Sequence, residues 1–260
     1  MEEFFLELLF VSFLFSFVWM FAGWLGYVKY KNATIVDVAW TFGILGVTIL
    51  YFVLGKVPYG SKYIILFAMF IWALRLGTLI IYRIIRFGVD GRYKALDKSF
   101  EVNPNRKYFF FFMFQGASLL IFTLPVLILV SSDKIYRLWS LMATGVILIA
   151  LLGVILSDIQ LQRFLAKGEN KGKVCQNGLW NYSRHPNYFF EWIYWCALAL
   201  FVYPLPYGSI ALVCPIGLLL TLFFVTGIPP TEKQALLSKK EAYIEYQRTT
   251  SVFVPWFKKK

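Results

Sequence analysis

Long apolar runs alternate along this chain with short polar connections, and the connections carry most of the charge. Apolar stretches run from Phe4 to Leu25 and near residues 35 to 54, 63 to 82, 108 to 130, 138 to 157, 188 to 202 and 209 to 226. Each approaches the roughly 20 residues that a helix needs to cross a bilayer. The pattern predicts seven transmembrane helices, the sixth of them short. The first run is too long and too lightly flanked by charge for a cleaved signal peptide, so it is read as the first span.

Composition agrees with the pattern. Of 260 residues 59% are hydrophobic and 20% aromatic, while 15% are charged, below the quarter or so usual in soluble domains. No internal repeat, low-complexity segment or separate soluble domain interrupts residues 1–260. The expectation is an all-α polytopic membrane domain.

The net charge of +12 lies in short loops beside spans, which points to membrane topology rather than to nucleic acid. With the N-terminus outside, Lys29, Lys31, the basic residues from Arg83 to Lys107, those from Arg163 to Arg184 and the tail fall on the cytoplasmic side. The outer loops keep Lys56, Lys62, Lys134 and Arg137. This satisfies the positive-inside rule. A bacterial inner membrane suits the topology first, and an endoplasmic reticulum membrane also satisfies it. Cys175, Cys196 and Cys214 form no C-x-x-C pair and the chain has one histidine, so neither a disulfide framework nor a metal cluster is expected.

The densest chemistry lies at Ser183-Arg184-His185-Pro186-Asn187-Tyr188-Phe189-Phe190-Glu191. Pro186 suits the first turn of a helix, where a missing N–H costs nothing, which predicts His185 as N-cap. Asn187 and Glu191, four apart, then share a face. A carboxylate inside a membrane helix needs a partner or a ligand. Asp158 ends the fifth span with Gln162 one turn later and Arg163 beside it: either an interfacial acid paired with an arginine, or one wall of a polar pocket opposite Asn187 and Glu191. The loop Gly168 to Lys173 is rich in glycine and cations but lacks phosphate-loop spacing.

Arg75 lies inside the third span and should face protein rather than lipid. It binds an anion or forms a salt bridge, with Asp37 as a partner. Arg83 and Arg86 follow toward the cytoplasm and suit snorkelling. Asp37 begins the second span, either as a favourable charge at a helix N-terminus or as a pocket acid; Trp40 lies nearly one turn on. In the tail, Gly227-Ile228-Pro229-Pro230 breaks the last span and Thr231 to Tyr246 reads as one helix capped by Thr231. The end Val252-Phe253-Val254-Pro255-Trp256-Phe257 should dock at the membrane interface before three lysines.

Gly178-Leu179-Trp180, Ser183 to Tyr188, Glu191 and Glu245 to Trp256, with Asp37-Val38-Ala39-Trp40, Trp72 to Leu76 and Asp158 with Gln162, resemble the DUF1295 family. That family belongs to the steroid 5-alpha-reductase-like membrane superfamily. The resemblance implies seven helices around a cytoplasm-facing cofactor cavity, with the cofactor half at about residues 138–260. It implies NADPH as cofactor and reduction of a carbon–carbon double bond in a lipophilic enone or alkene. Asn187, Glu191 and Asp158 match cofactor-binding positions of the reductases, Arg75 and Arg86 their phosphate contacts, and Tyr246 and Arg248 the residues that close the site. Gln162, Arg163, Arg184 and His185 complete the expected cofactor set.

The reductases polarise the substrate ketone with a Glu and a Tyr. Here Asp37 stands near the first and Trp72 near the second, and Trp cannot donate a proton as Tyr does, which leaves Tyr82 or Tyr27 as the substitute. Isoprenylcysteine carboxyl methyltransferases share the superfamily, and Arg184-His185-Pro186 with Glu232 resembles their S-adenosylmethionine site. That is the alternative, with a non-catalytic lipid- or nucleotide-binding protein as another. Expected partners are a lipophilic small molecule and membrane lipids, without nucleic acid.

Overall fold

A computed structural model describes residues 2–55, 60 and 62–259. Lys56 of the expected outer loop and Lys260 of the tail lie outside the described residues. The helices are α1 (Glu2–Tyr30), α2 (Ile35–Leu54), α3 (Lys62–Phe87), α4 (Gly91–Ser99), α5 (Pro104–Val130), α6 (Arg137–Ala166), α7 (Pro186–Val202), α8 (Val213–Phe224), α9 (Ile228–Lys239) and α10 (Glu241–Thr249). Six helical segments among the described residues are long and apolar enough to cross a membrane, as a multi-pass membrane protein requires. The expected sixth span is α7, whose 17 residues sit at the short limit of a crossing. The count of spanning length is therefore six, where the hydrophobic pattern gave seven.

Two compact units divide the chain: Met1–Ser140 with Ala199–Ala211, and Leu141–Leu198 with Leu212–Lys260. In the first, α1 packs on α2 and α5, and α2 also packs on α3. Met20, Ile44, Met69, Trp72, Phe112 and Leu119 fill the core. Several polar groups in these helices find partners inside the bundle, as an apolar surround favours. Thr48 Oγ1 donates to the Ile44 carbonyl at 2.8 Å and Tyr51 Oη to Ser12 Oγ at 2.8 Å. Trp40 is a packing residue: its indole N–H donates to Ser118 Oγ at 2.8 Å, and its ring meets Trp72 and Phe122 edge-on.

The hydrophilic connection after α3 contains a helix of its own. Gly88 ends α3 at φ +74°, donating its N–H to the Ile84 carbonyl, a left-handed position that glycine adopts without strain. Asp90 then caps α4 by accepting the Arg92 N–H at 2.9 Å, relieving one of the donors that a helix start leaves open.

In the second unit α6 runs past its apolar stretch to Ala166, so Asp158, Gln162 and Arg163 are helical. The chain then returns along it. Gln160 Oε1 accepts the Leu179 N–H at 2.9 Å and the Ser157 carbonyl accepts the Trp180 indole at 2.9 Å. Farther back, the Phe190 ring lies where a side chain at Gly153 would stand, 2.3 Å from that Cβ position. The segment leading into α7 thus lies along the end of α6, and Phe190 of α7 reaches back to Gly153.

The tail departs from expectation. α9 starts at Ile228, with Pro229 and Pro230 in its first turn; Thr231 does not cap it but donates to the Gly227 carbonyl at 2.7 Å. A break at Lys240 (φ +46°) separates α10. Phe253 is buried against Leu222, Ile228, Phe189 and Trp192 rather than set in the interface; Val254, Trp256 and Phe257 remain exposed.

Candidate functional site

Two polar clusters stand out, one in each unit. The larger gathers on Glu232, in the second turn of α9. Arg184 meets it in a fork, Nε to Oε1 at 2.6 Å and Nη2 to Oε2 at 3.3 Å. His185 Nε2 lies 3.2 Å from Oε1, Gln247 Nε2 donates to Oε2 at 2.7 Å, and the Tyr243 hydroxyl reaches Oε1 at 3.5 Å. Arg184 Nη1 also donates to the carbonyls of Gln247 and Thr250 at 2.9 and 2.8 Å. One guanidinium thereby binds α9, α10 and the tail, using the planar fork that lysine lacks.

The backbone around this hub is laced as tightly. Arg184 N donates to the Ser251 carbonyl at 2.8 Å, Trp256 N to that of Tyr182 at 2.9 Å, and Ser183 Oγ to that of Phe253 at 2.7 Å. Tyr246 donates to the Trp180 and Ser183 carbonyls; burial drives its hydroxyl far above the ordinary tyrosine range. His185 does precede α7, as the position of Pro186 predicted, and its ring stacks on Tyr188 with centroids 5.2 Å apart. Burial lowers its pKa below the ordinary 6.5, outweighing the opposite pull of Glu232. The neutral imidazole can still donate Nε2–H to the carboxylate.

Beside the hub, the end of α6 lies against the segment that leads into α7. Asp158, one residue past the Trp180 contact, is 7% exposed. Glu191 accepts the Trp195 indole N–H at 3.3 Å. Asn187 Oδ1 is buried and has no hydrogen-bond partner among the described residues, which is costly unless something else satisfies it. Gln162 is half-buried and Arg163 exposed on the same helix.

The cluster of the first unit centres on Asp37. Tyr93 Oη donates to Asp37 Oδ1 at 2.6 Å and Arg92 Nη2 to Oδ2 at 2.9 Å. Arg92 also holds Asp90, Nε to Oδ1 at 3.1 Å, and this pairing keeps the Asp90 carboxyl below its usual range although burial opposes it. Tyr93 is 6% exposed; burial and the neighbouring Asp37 charge raise its hydroxyl well above the ordinary value, so it keeps its proton at neutral pH.

Tyr82, Tyr27, Arg86 and Arg248 belong to neither cluster. Arg92, rather than Arg75, supplies the ion pair of Asp37. Tyr82 is 48% exposed on α3, and Tyr27 packs in the core against Tyr108 at 4.4 Å. Arg75 is half-buried and Arg86 exposed on α3. Arg248 is exposed and pairs with Glu245 at 3.1 Å; its neighbour Gln247 is the one that reaches the hub.

The family model described as Protein of unknown function (DUF1295) matches residues 23–250, which includes both clusters. The chain belongs to the DUF1295 family. No curated protein and no solved structure matches it. Within this DUF1295 chain, sequence reasoning missed Arg92 and Tyr93, which stand 55 and 56 residues from Asp37. The Asp90-Gly91 start of α4 was the one local signal that could have found them.

Proposed function

We propose that this chain is a membrane-embedded, NADPH-dependent reductase of a lipophilic enone or alkene. The observation that carries the reading is the buried Oδ1 of Asn187 without a hydrogen-bond partner, at the start of α7 beside the end of α6 that carries Asp158. An acceptor held in that state suits an amide or hydroxyl donor, and both occur on a nicotinamide nucleotide. Asn187, Glu191 and Asp158 would hold those groups, and Arg163 at the end of α6 would meet phosphate. Arg184 has four of its N–H donors on protein atoms and serves as the clamp that fixes His185 and the start of α7. Bound NADPH supplies the hydride.

The acid of the reading is the Asp37 cluster. Tyr93 Oη holds its proton against Asp37 Oδ1 at 2.6 Å, and Arg92 stabilises the carboxylate. A pair so arranged holds a proton ready for an oxygen that gains charge, the main contribution a protein can make to such a reduction. In this reading Tyr93 takes the role that the sequence had left to Tyr82 or Tyr27. α7 is the sixth of seven crossings, and the start of α7 and the tail face the cytoplasm.

A second reading rests on the 2.6 Å pair of Arg184 and Glu232: the carboxylate and ammonium of S-adenosylmethionine would each replace one partner of the pair, and binding would open it. Titration of purified protein with NADPH, NADP and S-adenosylmethionine separates the two. Binding of NADPH in the micromolar range is expected; tight binding of the methyl donor with none of NADPH overturns the reductase.

A further inference from the structure

We infer that the groove between α9 and α10 binds an anionic phospholipid, with its phosphate at Lys233 and Lys240 and an acyl chain along Leu236, Leu237 and Ile244. The groove has a volume of about 590 Å³, within the range of small-molecule sites. α9 begins four residues after α8 ends and packs against it, and the segment Gly208–Lys239 that contains both is one of the six long and apolar enough to cross a membrane, so the groove belongs to a lipid-contacting part of the chain.

Its lining is amphipathic in the order a lipid requires. Leu237 is 75% and Ile244 56% exposed, a large apolar surface open to an acyl chain. The acid at the floor, Glu232, has its oxygens engaged by Arg184, His185, Gln247 and Tyr243, so it does not neutralise the lysines. Glu245 pairs with Arg248, and Lys239 turns to the Tyr243 ring at 5.9 Å. Lys233 and Lys240 remain as the cations of the groove. Anionic lipid favours such lysines at a membrane surface.

Lys240 gives an independent indication. Its backbone stands at φ +46°, ψ −125°, a conformation that favours glycine and strains a residue with a Cβ. A glycine would make the break between α9 and α10 without strain, yet the position carries a lysine whose side chain lines the groove. The side chain itself is what the position uses.

The test reconstitutes the full chain in nanodiscs of phosphatidylcholine alone or with about a quarter phosphatidylglycerol and reads the melting temperature. Wild type should melt several degrees higher in the anionic discs. Lys240→Gly should melt above wild type in neutral discs, because the strain is relieved, and yet lose more than half of the anionic increment. Lys233→Gln should lose a similar share without the neutral-disc gain, whereas Lys258→Gln/Lys259→Gln should keep the increment. Inorganic phosphate added to neutral discs should leave the melting temperature unchanged. The proposal is overturned if wild type gains nothing from anionic lipid, or if Lys240→Gly and Lys233→Gln keep the full gain. It is equally overturned if the tail lysines account for the gain, or if free phosphate reproduces it.

Discussion

Both units hold a carboxylate between an arginine and a tyrosine, but the two carboxylates are built for different work. Glu232 is closed: two side chains from the start of α7 and two from α10 converge on it, and its arginine partner also ties down two backbone carbonyls. Asp37 is open: both its side-chain partners come from one short helix, α4, and the Arg92 side chain beside it is 38% exposed. A saturated, buried carboxylate has little left to offer a ligand and serves as a scaffold. A carboxylate held from one side, with a protonated phenol on it, can exchange a proton.

Four experiments can break or sharpen this contrast. The largest effect is expected for Glu232→Leu, which leaves Arg184, whose side chain is 10% exposed, without its counter-charge. Loss of one partner from a buried pair costs about 3–5 kcal/mol, so thermal unfolding in detergent should show a large drop and proteolysis should release the tail. A melting temperature near wild type would show that Glu232 is not a scaffold.

Asp37→Asn should instead lower turnover roughly 10²–10⁴-fold, the range for a lost acid–base group, while NADPH affinity holds. Its stability cost should stay near about 1 kcal/mol, because the ion pair with Arg92 is partly exposed and screened. Tyr93→Phe should follow it in turnover and cost about 1 kcal/mol for one hydrogen bond. Loss of fold rather than of turnover in either variant would erase the contrast between the clusters.

Asn187→Leu should weaken NADPH about tenfold, the value of one well-made hydrogen bond at roughly 1.4 kcal/mol. Stability should hold or rise, since Oδ1 has no partner to lose. Unchanged affinity would remove the observation on which the reductase reading stands.

The smallest effect concerns pH. The folded state keeps His185 neutral with its pKa below 6.5, so below about that pH the unfolded chain binds a proton that the folded chain does not. Stability from this group is fully present above pH 6.5 and falls as the pH drops, by at most about 1.4 kcal/mol per pH unit. Melting curves between neutral and mildly acidic pH should show the slope in wild type and a shallower one in His185→Gln. An equal slope in both would place the acid sensitivity elsewhere.

Much of this was written locally. Pro186 starts α7 as its missing N–H predicts, and Asn187 and Glu191 fall one turn apart because four residues make nearly a full turn. The apolar runs gave the long helices, since a bilayer leaves backbone groups no other way to be satisfied. Local signals failed where the outcome depended on distant atoms. The run from Thr231 to Tyr246 is polar and helix-compatible throughout, and nothing in it announces a break at Lys240. Phe253 reads as an interfacial aromatic, yet a buried slot beside Leu222 and Ile228 receives it.

The sequence by itself determined that the chain crosses a membrane several times and that its polar chemistry clusters at helix ends, because hydrophobic length and helix capping are properties of neighbours along the chain. The tertiary structure alone decided which acid has a phenol beside it and which arginine remains available. Hydrogen bonds reach only about 3 Å. Whether Arg92 and Tyr93 close on Asp37, or Gln247 on Glu232, depends on how helices dozens of residues apart are brought together, and no spacing in the sequence records that.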